Sequence, residues 1–372
     1  MSNNLSYWEY KTWLSNIDYT IVGSGIVGLS CALGLRKRFP KAKILVLERG
    51  ILPQGASTKN AGFACFGSIS EILADIKTSS EWDVQQLVHR RWRGIQLLRT
   101  MLGDDNLNFL NYGGHEVFLK TQESVFHHCL DNLNEINQLL EPVFKALPFS
   151  VQPNRFNFAK IQPQYITHAF ESQIDTGKMM SSLVHLAHKQ NIILFNGITV
   201  KEFVDHNTHV EVRTDHFEMI TKKLCIATNG FASQLLHEDV VPARAQVLIT
   251  KPIAKLPIKG TFHLDEGYYY FRNVGNRLLF GGGRNLDFEG EKTMNFGQTK
   301  RIQQRLEFLL SDVILPDTPF EIDQRWSGIM GTGREKRPIV KQFTNHVYCG
   351  VRLGGMGIAL GSLVGKEMAE LL

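Results

Sequence analysis

Three glycines near the start of the chain have the spacing of a turn that binds a dinucleotide. Gly23, Gly25 and Gly28 form the pattern G-x-G-x-x-G, which begins at the end of the β-branched segment 18–23 and opens a helical pattern over 26–39. The first glycine allows a tight turn, the second lets the backbone approach a pyrophosphate, and the third lets helix and strand pack closely. The helix N-terminus then offers free N–H groups to the phosphates. The residues predicted here to bind a cofactor are Gly23, Gly25, Ile26, Val27 and Gly28.

An acidic residue follows near the end of the next predicted strand. Residues 43–50 read KILVLERG, an apolar run typical of a strand buried on both faces, and they include Glu48. At that place a carboxylate can accept hydrogen bonds from the adenosine ribose hydroxyls. Glu48 disfavours NADP because it would repel a 2′-phosphate, although the neighbouring Arg49 weakens this argument. Both residues are predicted to contact the cofactor, and they do not separate NAD from FAD.

A stretch of small residues, GASTKNAGFACFGS over 55–68, favours FAD. A second close approach of backbone to pyrophosphate and isoalloxazine requires small side chains, because bulky ones would clash. The same composition also suits an ordinary glycine-rich loop. A plain NAD dehydrogenase would leave this stretch and the glycines of 354–357 without a role.

The elements that must position these residues form a βαβ unit: a strand over 18–23, a helix over 26–39 and a strand over 43–50. Two more strands that end in glycine lie in the middle and near the end of the chain, over 222–230 and before 354. We therefore predict a discontinuous nucleotide-binding domain (1–80, 170–245 and 326–372). The substrate domain would comprise 81–169 and 246–325, with a hairpin over 267–283 that turns at 274–276.

Composition excludes several other classes of function. The 372 residues have a net charge of +5 with scattered Lys and Arg, which disfavours a nucleic-acid partner. No apolar run is long enough to predict a transmembrane segment, and the N-terminus lacks the pattern of a signal peptide. The five widely spaced cysteines favour reduced thiols and a cytoplasmic location. His185 and His188 lack a third ligand, so no metal site is predicted.

With these motifs in order, the sequence resembles the D-amino-acid oxidase (DAO) family of FAD-dependent oxidoreductases, which includes glycine and sarcosine oxidases. The resemblance implies the α/β fold class: a Rossmann-like FAD-binding domain (GR2-type) with an α+β substrate domain on a mixed or antiparallel sheet. It extends over GSGIVG, GASTKNAG, the segment leading to Val200, CIATNGFASQL and RLGGMGIALG. The further cofactor-binding residues that it implies are Ser57, Thr58, Asn60, Ala61, Gly62, Val200, Ala227, Thr228, Gly230, Gly354, Gly355, Met356, Gly357 and Ile358.

The resemblance also implies residues on the substrate side. The hairpin containing YYYFR would cover one flavin face, with Tyr269 facing the substrate or, equally, packed in a core or interface. Two positions that hold an arginine in glycine-oxidase-like members are Met330 and Gly355 here. Arg334 or Arg352 would replace them if a carboxylate is bound, and each also fits a surface or turn position. The substrate would otherwise carry no carboxylate at this point. Since the positions of covalent flavin attachment lack Cys or His, non-covalent FAD is implied.

The predicted activity is oxidation of the C–N bond of a small amine or amino acid by hydride transfer to flavin, which needs no evident acid–base dyad. Electrons would then pass to O2 or to a quinone. Two alternatives stay open: an FAD-dependent 2-hydroxyacid dehydrogenase, and a flavoprotein subunit of an electron-transfer complex.

Overall fold

A computed structural model describes residues 5–372 of the chain, so residues 1–4 of the predicted first domain lie outside the described range. Its helices are α1 (Tyr7–Glu9), α2 (Ile26–Arg38), α3 (Ala56–Lys59), α4 (Ile69–Ile76), α5 (Glu81–Leu102), α6 (Asp104–Leu107), α7 (Glu123–Asp131), α8 (Leu133–Phe144), α9 (Thr176–Lys189), α10 (Lys300–Leu309) and α11 (Gly357–Glu370). None of the helices within residues 5–372 has the length and apolar character needed to cross a membrane.

The strands form two large sheets and one small one. They are β1 (Ile17–Val22), β2 (Ile44–Glu48), β3 (Phe63–Ala64), β4 (Gly114–Glu116), β5 (Phe149–Pro153), β6 (Gln164–His168), β7 (Ser172–Gln173), β8 (Ile193–Asn196), β9 (Val200–Asp205), β10 (Val210–Thr214), β11 (Glu218–Ile226), β12 (Val241–Thr250), β13 (Thr261–Leu264), β14 (Tyr269–Val274), β15 (Arg277–Gly282), β16 (Ile322–Thr332), β17 (Ile339–Gln342) and β18 (Val347–Val351).

The first sheet has a parallel centre in the order β18-β11-β1-β2-β8, with β17 at one edge; β10 pairs with β11, and β9 pairs with β10. Strand β2 is buried along its whole length, as expected for a parallel strand covered by helices. Helix α2 covers this sheet next to α11, and long α5 packs on α11. A Cβ on Gly94 of α5 would lie 1.9 Å from the Ala359 carbonyl oxygen, so this crossing needs glycine.

The second sheet has the order β16-β12-β15-β14-β13-β4-β6-β5 and is antiparallel except for the parallel β13–β4 pair. This is the mixed, mostly antiparallel sheet that the sequence predicts. One face packs against α10 through an apolar cluster that includes Phe262, Phe271, Phe280 and Leu306. The opposite face turns toward the first sheet, and the candidate site lies between the two.

The predicted domain boundaries differ from the sheet boundaries at three places. The limits at 245 and 325 fall inside β12 and β16, which pair with each other along 241–250 in the second sheet. The limit at 80 assigns α5 to the substrate domain, although α5 packs on α11 of the first sheet layer. Apolar periodicity predicted these elements but carries no information on which layer each one covers.

Candidate functional site

The glycine turn between β1 and α2 is shaped by two close backbone approaches. Gly23 has a φ of +103°, and a Cβ there would lie 2.9 Å from the Ala227 carbonyl oxygen at the end of β11. A Cβ on Gly28 would lie 1.9 Å from the carbonyl oxygen of Gly23, so any side chain would force α2 away from the turn. At the start of the helix the Ile26 N–H donates to Ser57 Oγ over 3.0 Å. The turn and the following helix are thus held as a cradle for a phosphate group.

Glu48 is buried at the end of β2 and is held by hydrogen bonds on both oxygens. Its Oε2 accepts from the Ser24 backbone N–H (3.0 Å) and hydroxyl (2.8 Å), and its Oε1 accepts from the Gly50 N–H (3.0 Å). These bonds fix the carboxylate at the edge of the cavity that the glycine turn opens onto. The position suits the ribose contact that the sequence predicts.

The loop of residues 55–62 contains α3 and is organised by the Asn60 side chain. Asn60 Nδ2 donates to the Ser57 carbonyl (2.8 Å), and its Oδ1 accepts from the Gly62 N–H (2.8 Å) and the Thr176 hydroxyl (2.9 Å). From the second sheet, Arg272 Nε donates to the Ala61 carbonyl. Asn60 therefore fixes the loop internally, and Arg272 attaches it to β14.

Arg272 was missed in the sequence analysis. Its side chain is buried, and burial lowers its pKa to about 10. Besides Ala61, it donates through Nη2 to the Ile174 carbonyl over 2.9 Å. A buried guanidinium bonded to carbonyls of two separate segments has no local sequence signal, because its partners lie about 100 and 200 positions away.

A second turn of small residues lies at the start of α11. The Gly354 N–H donates to the Gly331 carbonyl (2.9 Å), and the Leu353 N–H donates to Asn229 Oδ1 (3.1 Å). These bonds join the end of β18 to β16 and to the segment that follows β11. The N-terminus of α11 therefore reaches the same cavity as that of α2.

These segments enclose a cavity of about 540 Å³. Most of the predicted cofactor-binding residues line it: Gly23, Gly25, Ile26, Val27, Glu48, Arg49, Ser57, Asn60, Ala61, Gly62, Val200, Ala227, Thr228, Gly354, Gly355, Met356, Gly357 and Ile358. Three distant stretches of the chain thus converge on one space, as the sequence predicts.

Three other predicted residues do not line the cavity, and each has a structural role beside it. Gly28 supports the turn from below. The Thr58 hydroxyl donates to the Pro53 carbonyl over 2.6 Å. A Cβ on Gly230 would lie 2.6 Å from the Met330 carbonyl oxygen, so this glycine lets the segment after β11 pack on β16. Direct contact of these three with a cofactor stays a prediction.

The cavity continues from the cradle to the inner face of the second sheet. Tyr270 of β14 and His263 of β13 are paired in register and both line it. The ring of Phe63 packs edge-on against both, at centroid distances of 5.5 Å to His263 and 5.6 Å to Tyr270. Burial raises the pKa of Tyr270 to about 12, so its hydroxyl stays protonated at neutral pH.

Of the two placements predicted for Tyr269, facing the substrate or packed in a core, the structure has the second. Tyr269 is buried in the apolar cluster behind the sheet, while Tyr268 and Tyr270 line the cavity. Alternate residues of a strand point to opposite faces, so a register error of one position reverses the assignment.

His263 is ion-paired with Glu171, which the sequence analysis also missed. His263 Nε2 lies 2.9 Å from Glu171 Oε2, and both side chains are almost fully buried. Burial opposes the charge on His263, but Glu171 outweighs it and raises the His263 pKa to about 9. Burial likewise opposes the charge on Glu171, whose pKa His263 lowers to about 2. The wall therefore carries an imidazolium at neutral pH.

The two arginines predicted to bind a carboxylate are placed differently. The side chain of Arg334 is 91% exposed and does not line the cavity. Arg352 lines it, but its Nη1 pairs with Asp239 Oδ2 (2.9 Å) and its Nε donates to the Arg337 carbonyl (3.0 Å). Arg352 thus supports the turn before Gly354, and Arg334 faces solvent; neither is free to bind substrate here.

The residues present fit FAD on structural grounds. A glycine cradle that a Cβ would fill, the N-termini of two helices and a fixed carboxylate suit an adenosine diphosphate, and the loop of small residues suits a flat ring beyond it. Within residues 5–372, no group of His, Cys, Asp and Glu could hold a metal ion.

Comparisons with known proteins agree with this geometry. The family model described as DAO, FAD dependent oxidoreductase, matches residues 18–371. The probable oxidoreductase OrdL of Haemophilus influenzae is 22% identical over 97% of this chain and 84% of its own. The gamma-glutamylputrescine oxidoreductase of Escherichia coli is 22% identical over 95% of this chain and 83% of its own.

Solved structures have the same fold. Glycine oxidase from Geobacillus kaustophilus superposes with a TM-score of 0.76 at 18% identity, over 95% of this chain and 94% of that one. L-proline dehydrogenase from P. horikoshii superposes with a TM-score of 0.73 at 16% identity, over 96% of this chain and 93% of that one.

Proposed function

The chain belongs to the DAO family of FAD-dependent oxidoreductases, and we propose that it oxidises the C–N bond of a small amine or amino acid. The observation that carries the proposal is the continuous cavity, which runs from the glycine cradle to the aromatic and charged wall of the second sheet. A substrate between that wall and a bound flavin would be shielded from water. The names of similar proteins, among them gamma-glutamylputrescine oxidoreductase, glycine oxidase and L-proline dehydrogenase, support an amine or amino acid as substrate.

The proposed cofactor contacts follow the cavity. The pyrophosphate would lie at Gly23–Val27, and the ribose hydroxyls at Glu48. The adenine would lie near Val200 and Arg49, and the ring system between residues 55–62 and 354–358. Bound FAD supplies the redox chemistry, as the acceptor of a hydride from the carbon that bears the amine. We propose that it is held without a covalent bond.

The residues of the wall would orient the substrate and favour its neutral amine. Positive charge on Arg91, which lines the cavity, disfavours an ammonium ion nearby. Tyr270 stays protonated at neutral pH, and burial raises the pKa of the Cys65 thiol, so neither provides a base. The proton of the ammonium form would leave to solvent or to a carboxylate of the wall such as Glu71 before oxidation, and the imine product would hydrolyse after release.

Anaerobic reduction of the FAD-loaded protein tests the proposal. Amines and amino acids should bleach the oxidised flavin band, whereas 2-hydroxy acids of the same size should not. Bleaching by hydroxy acids alone would favour a 2-hydroxyacid dehydrogenase, and no bleaching by any small reductant would favour a subunit that only transfers electrons. A comparison of oxygen uptake with quinone reduction would then identify the electron acceptor. The acceptor stays a prediction, and so does the cytoplasmic location.

A further inference from the structure

Arg284 lies on the cavity wall where β15 ends. It begins the 3-10 turn Arg284–Leu286, directly after the strand, and lines the cavity beside Tyr268. The side chain is half-buried, and its guanidinium lies 4.9 Å from the ring centre of Phe288. The sequence analysis did not assign a role to this residue.

The turn that carries Arg284 is held rigidly against the turn that precedes β14. Gly282 has a φ of +117°, and a Cβ there would lie 2.0 Å from the Tyr268 carbonyl oxygen. The Gly283 N–H donates to that same carbonyl over 2.9 Å. On the other side of Arg284, Asn285 Nδ2 donates to Asp265 Oδ2 over 3.0 Å. Arg284 and Tyr268 are thus presented to the cavity together, with little freedom to separate.

The charge on Arg284 is not neutralised within the described chain. Among residues 5–372 no carboxylate oxygen lies within 4.0 Å of its guanidinium. The carboxylate that acts on it, Glu291, is already engaged by both Arg244 Nε and Nη2 at 2.8 Å. Burial lowers the pKa of Arg284, as expected for a cation removed from water without a partner. A bound anion would repay this desolvation cost.

Other cations on the wall have partners or a different position. His263 is paired with Glu171, Arg352 with Asp239, and Lys336 with Asp75 at 2.6 Å. Two further cations of the wall lie over aromatic rings: Arg49 is 3.7 Å from the ring centre of Phe231, at the proposed adenine end, and Lys59 Nζ is 5.0 Å from the ring centre of Phe296. Arg91 is the competing candidate, because it lines the cavity without a carboxylate within ion-pair distance in residues 5–372; its Nη1, however, is taken by the Phe66 carbonyl at 2.6 Å.

We propose that Arg284 binds a carboxylate of the substrate, in place of the arginines absent at positions 330 and 355. The inference rests on the proposed function and narrows the substrate class from amines in general to amino acids and carboxylated amines. A planar guanidinium suits this role because it can donate two parallel hydrogen bonds to a carboxylate. Glu71 and Glu266 also line this part of the cavity, so carboxylates are available to the ammonium group of an arriving amino acid until its proton leaves.

Carboxylate binding to the oxidised FAD-loaded protein tests this without turnover. Acetate, propionate and anthranilate are titrated against acetamide, propionamide and aniline, with the flavin absorbance as the readout. Wild type should bind the acids and not their neutral counterparts. Arg284→Met should weaken acid binding about 10- to 100-fold, the range for loss of a charged hydrogen bond. Arg284→Lys should give an intermediate loss, because it keeps the charge without the planar pair.

Matched variants decide between Arg284 and the alternatives. Arg301→Met removes an exposed arginine of α10 and should leave acid binding unchanged. Acid binding that survives Arg284→Met, or that is lost in Arg91→Met or Arg334→Met instead, would overturn the proposal. Failure of all three acids to bind wild type would overturn it as well.

Substrate pairs separate this proposal from the proposed function. Anaerobic reduction is compared for phenylalanine with 2-phenylethylamine, and for proline with pyrrolidine. Reduction by the amines at the rate of the amino acids would overturn the role of Arg284 and leave amine oxidation intact. Reduction by none of them would count against amine oxidation, and the carboxylate titrations would still decide the role of Arg284.

Discussion

The two walls of the cavity are built from different materials. The wall on the first sheet is made of backbone: glycines, helix N-termini and tight approaches such as the one between Gly28 and Gly23. The wall on the second sheet is made of side chains, with a buried His263–Glu171 ion pair, aromatic rings in edge-on contact and Arg284. On the proposed function, the first wall would recognise a shape that every dinucleotide shares, whereas the second would set charge and specificity. Substitutions on the two walls should therefore impair different properties of the protein.

The largest effect is expected on the side-chain wall. Glu171→Gln leaves His263 buried without its partner, which should lower the free energy of unfolding by about 3–5 kcal/mol at neutral pH. Chemical denaturation measures the change. Glu289→Gln, at a side chain that is 81% exposed, is the matched control and should be neutral. An unchanged denaturation midpoint in Glu171→Gln would mean that the pair contributes no net stability.

On the backbone wall, Gly28→Ala should lower the free energy of unfolding by about 3 kcal/mol, the upper end of the usual range for overpacking. The reason is that the new methyl group meets the Gly23 carbonyl oxygen, which cannot move aside. The ratio of bound flavin to protein should fall with it. Gly177→Ala, near the start of α9, adds the same methyl group 3.3 Å from Asp175 Oδ1, in place of the 1.9 Å contact at Gly28, and should be tolerated. Normal flavin content in Gly28→Ala would contradict the assigned packing role.

The ion pair should also give the molecule a defined pH dependence. His263 has a folded pKa of about 9 against an ordinary 6.5, so its contribution is complete below pH 6.5 and is lost as pH rises through 9. Glu171 contributes above pH 4.5 and loses its contribution as pH falls through about 2. The unfolding free energy of wild type should therefore fall by about 2–3 kcal/mol between pH 6.5 and 9.

Two neighbours of the pair bear on that measurement. Burial raises the pKa of Glu116 to about 7, which adds a separate loss of stability between pH 4.5 and 7; Glu71 also acts on His263. Above pH 7, the slope of the unfolding free energy against pH therefore reports the titration of the His263 imidazolium alone. It should be shallower in Glu171→Gln, and equal slopes would assign the pH dependence to other groups.

The smallest predicted effect compares the two faces of one strand. Tyr270→Phe removes a hydroxyl from the cavity and should raise KM about 2- to 10-fold, the value of a neutral hydrogen bond, with little change in stability. Tyr269→Phe, on the face toward α10, should change neither KM nor the flavin spectrum. A KM effect confined to Tyr269→Phe would restore the assignment made from the sequence.

The difference between the walls also explains what could be predicted from the sequence. Gly23, Gly25 and Gly28 lie within six positions of one another, so their spacing alone indicates a turn, and the strands around them follow from apolar runs. Tyr268, Tyr269 and Tyr270 are identical residues, so composition cannot indicate which of them faces inward.

Long-range partners were beyond sequence reasoning for a physical reason. Glu171 reaches His263 from 92 positions away, and only the folded sheet brings them together. Arg334 was assigned a role from a loop without periodicity, where nothing distinguishes a buried arginine from an exposed one. Arg284 follows GGG in a hairpin whose end could be located, but the direction of its side chain depends on the φ of Gly282.

Arg272 has a consequence for how such an enzyme could acquire new substrates. Its guanidinium belongs to the second sheet, and the carbonyls it serves belong to the loop at Ala61 and the segment at Ile174. Sliding the sheet relative to the loop would leave a buried cation without acceptors, which is among the costliest defects a protein interior can hold. The distance between the two walls is therefore fixed, and adaptation to a different substrate must proceed by exchange of the projecting groups at constant spacing.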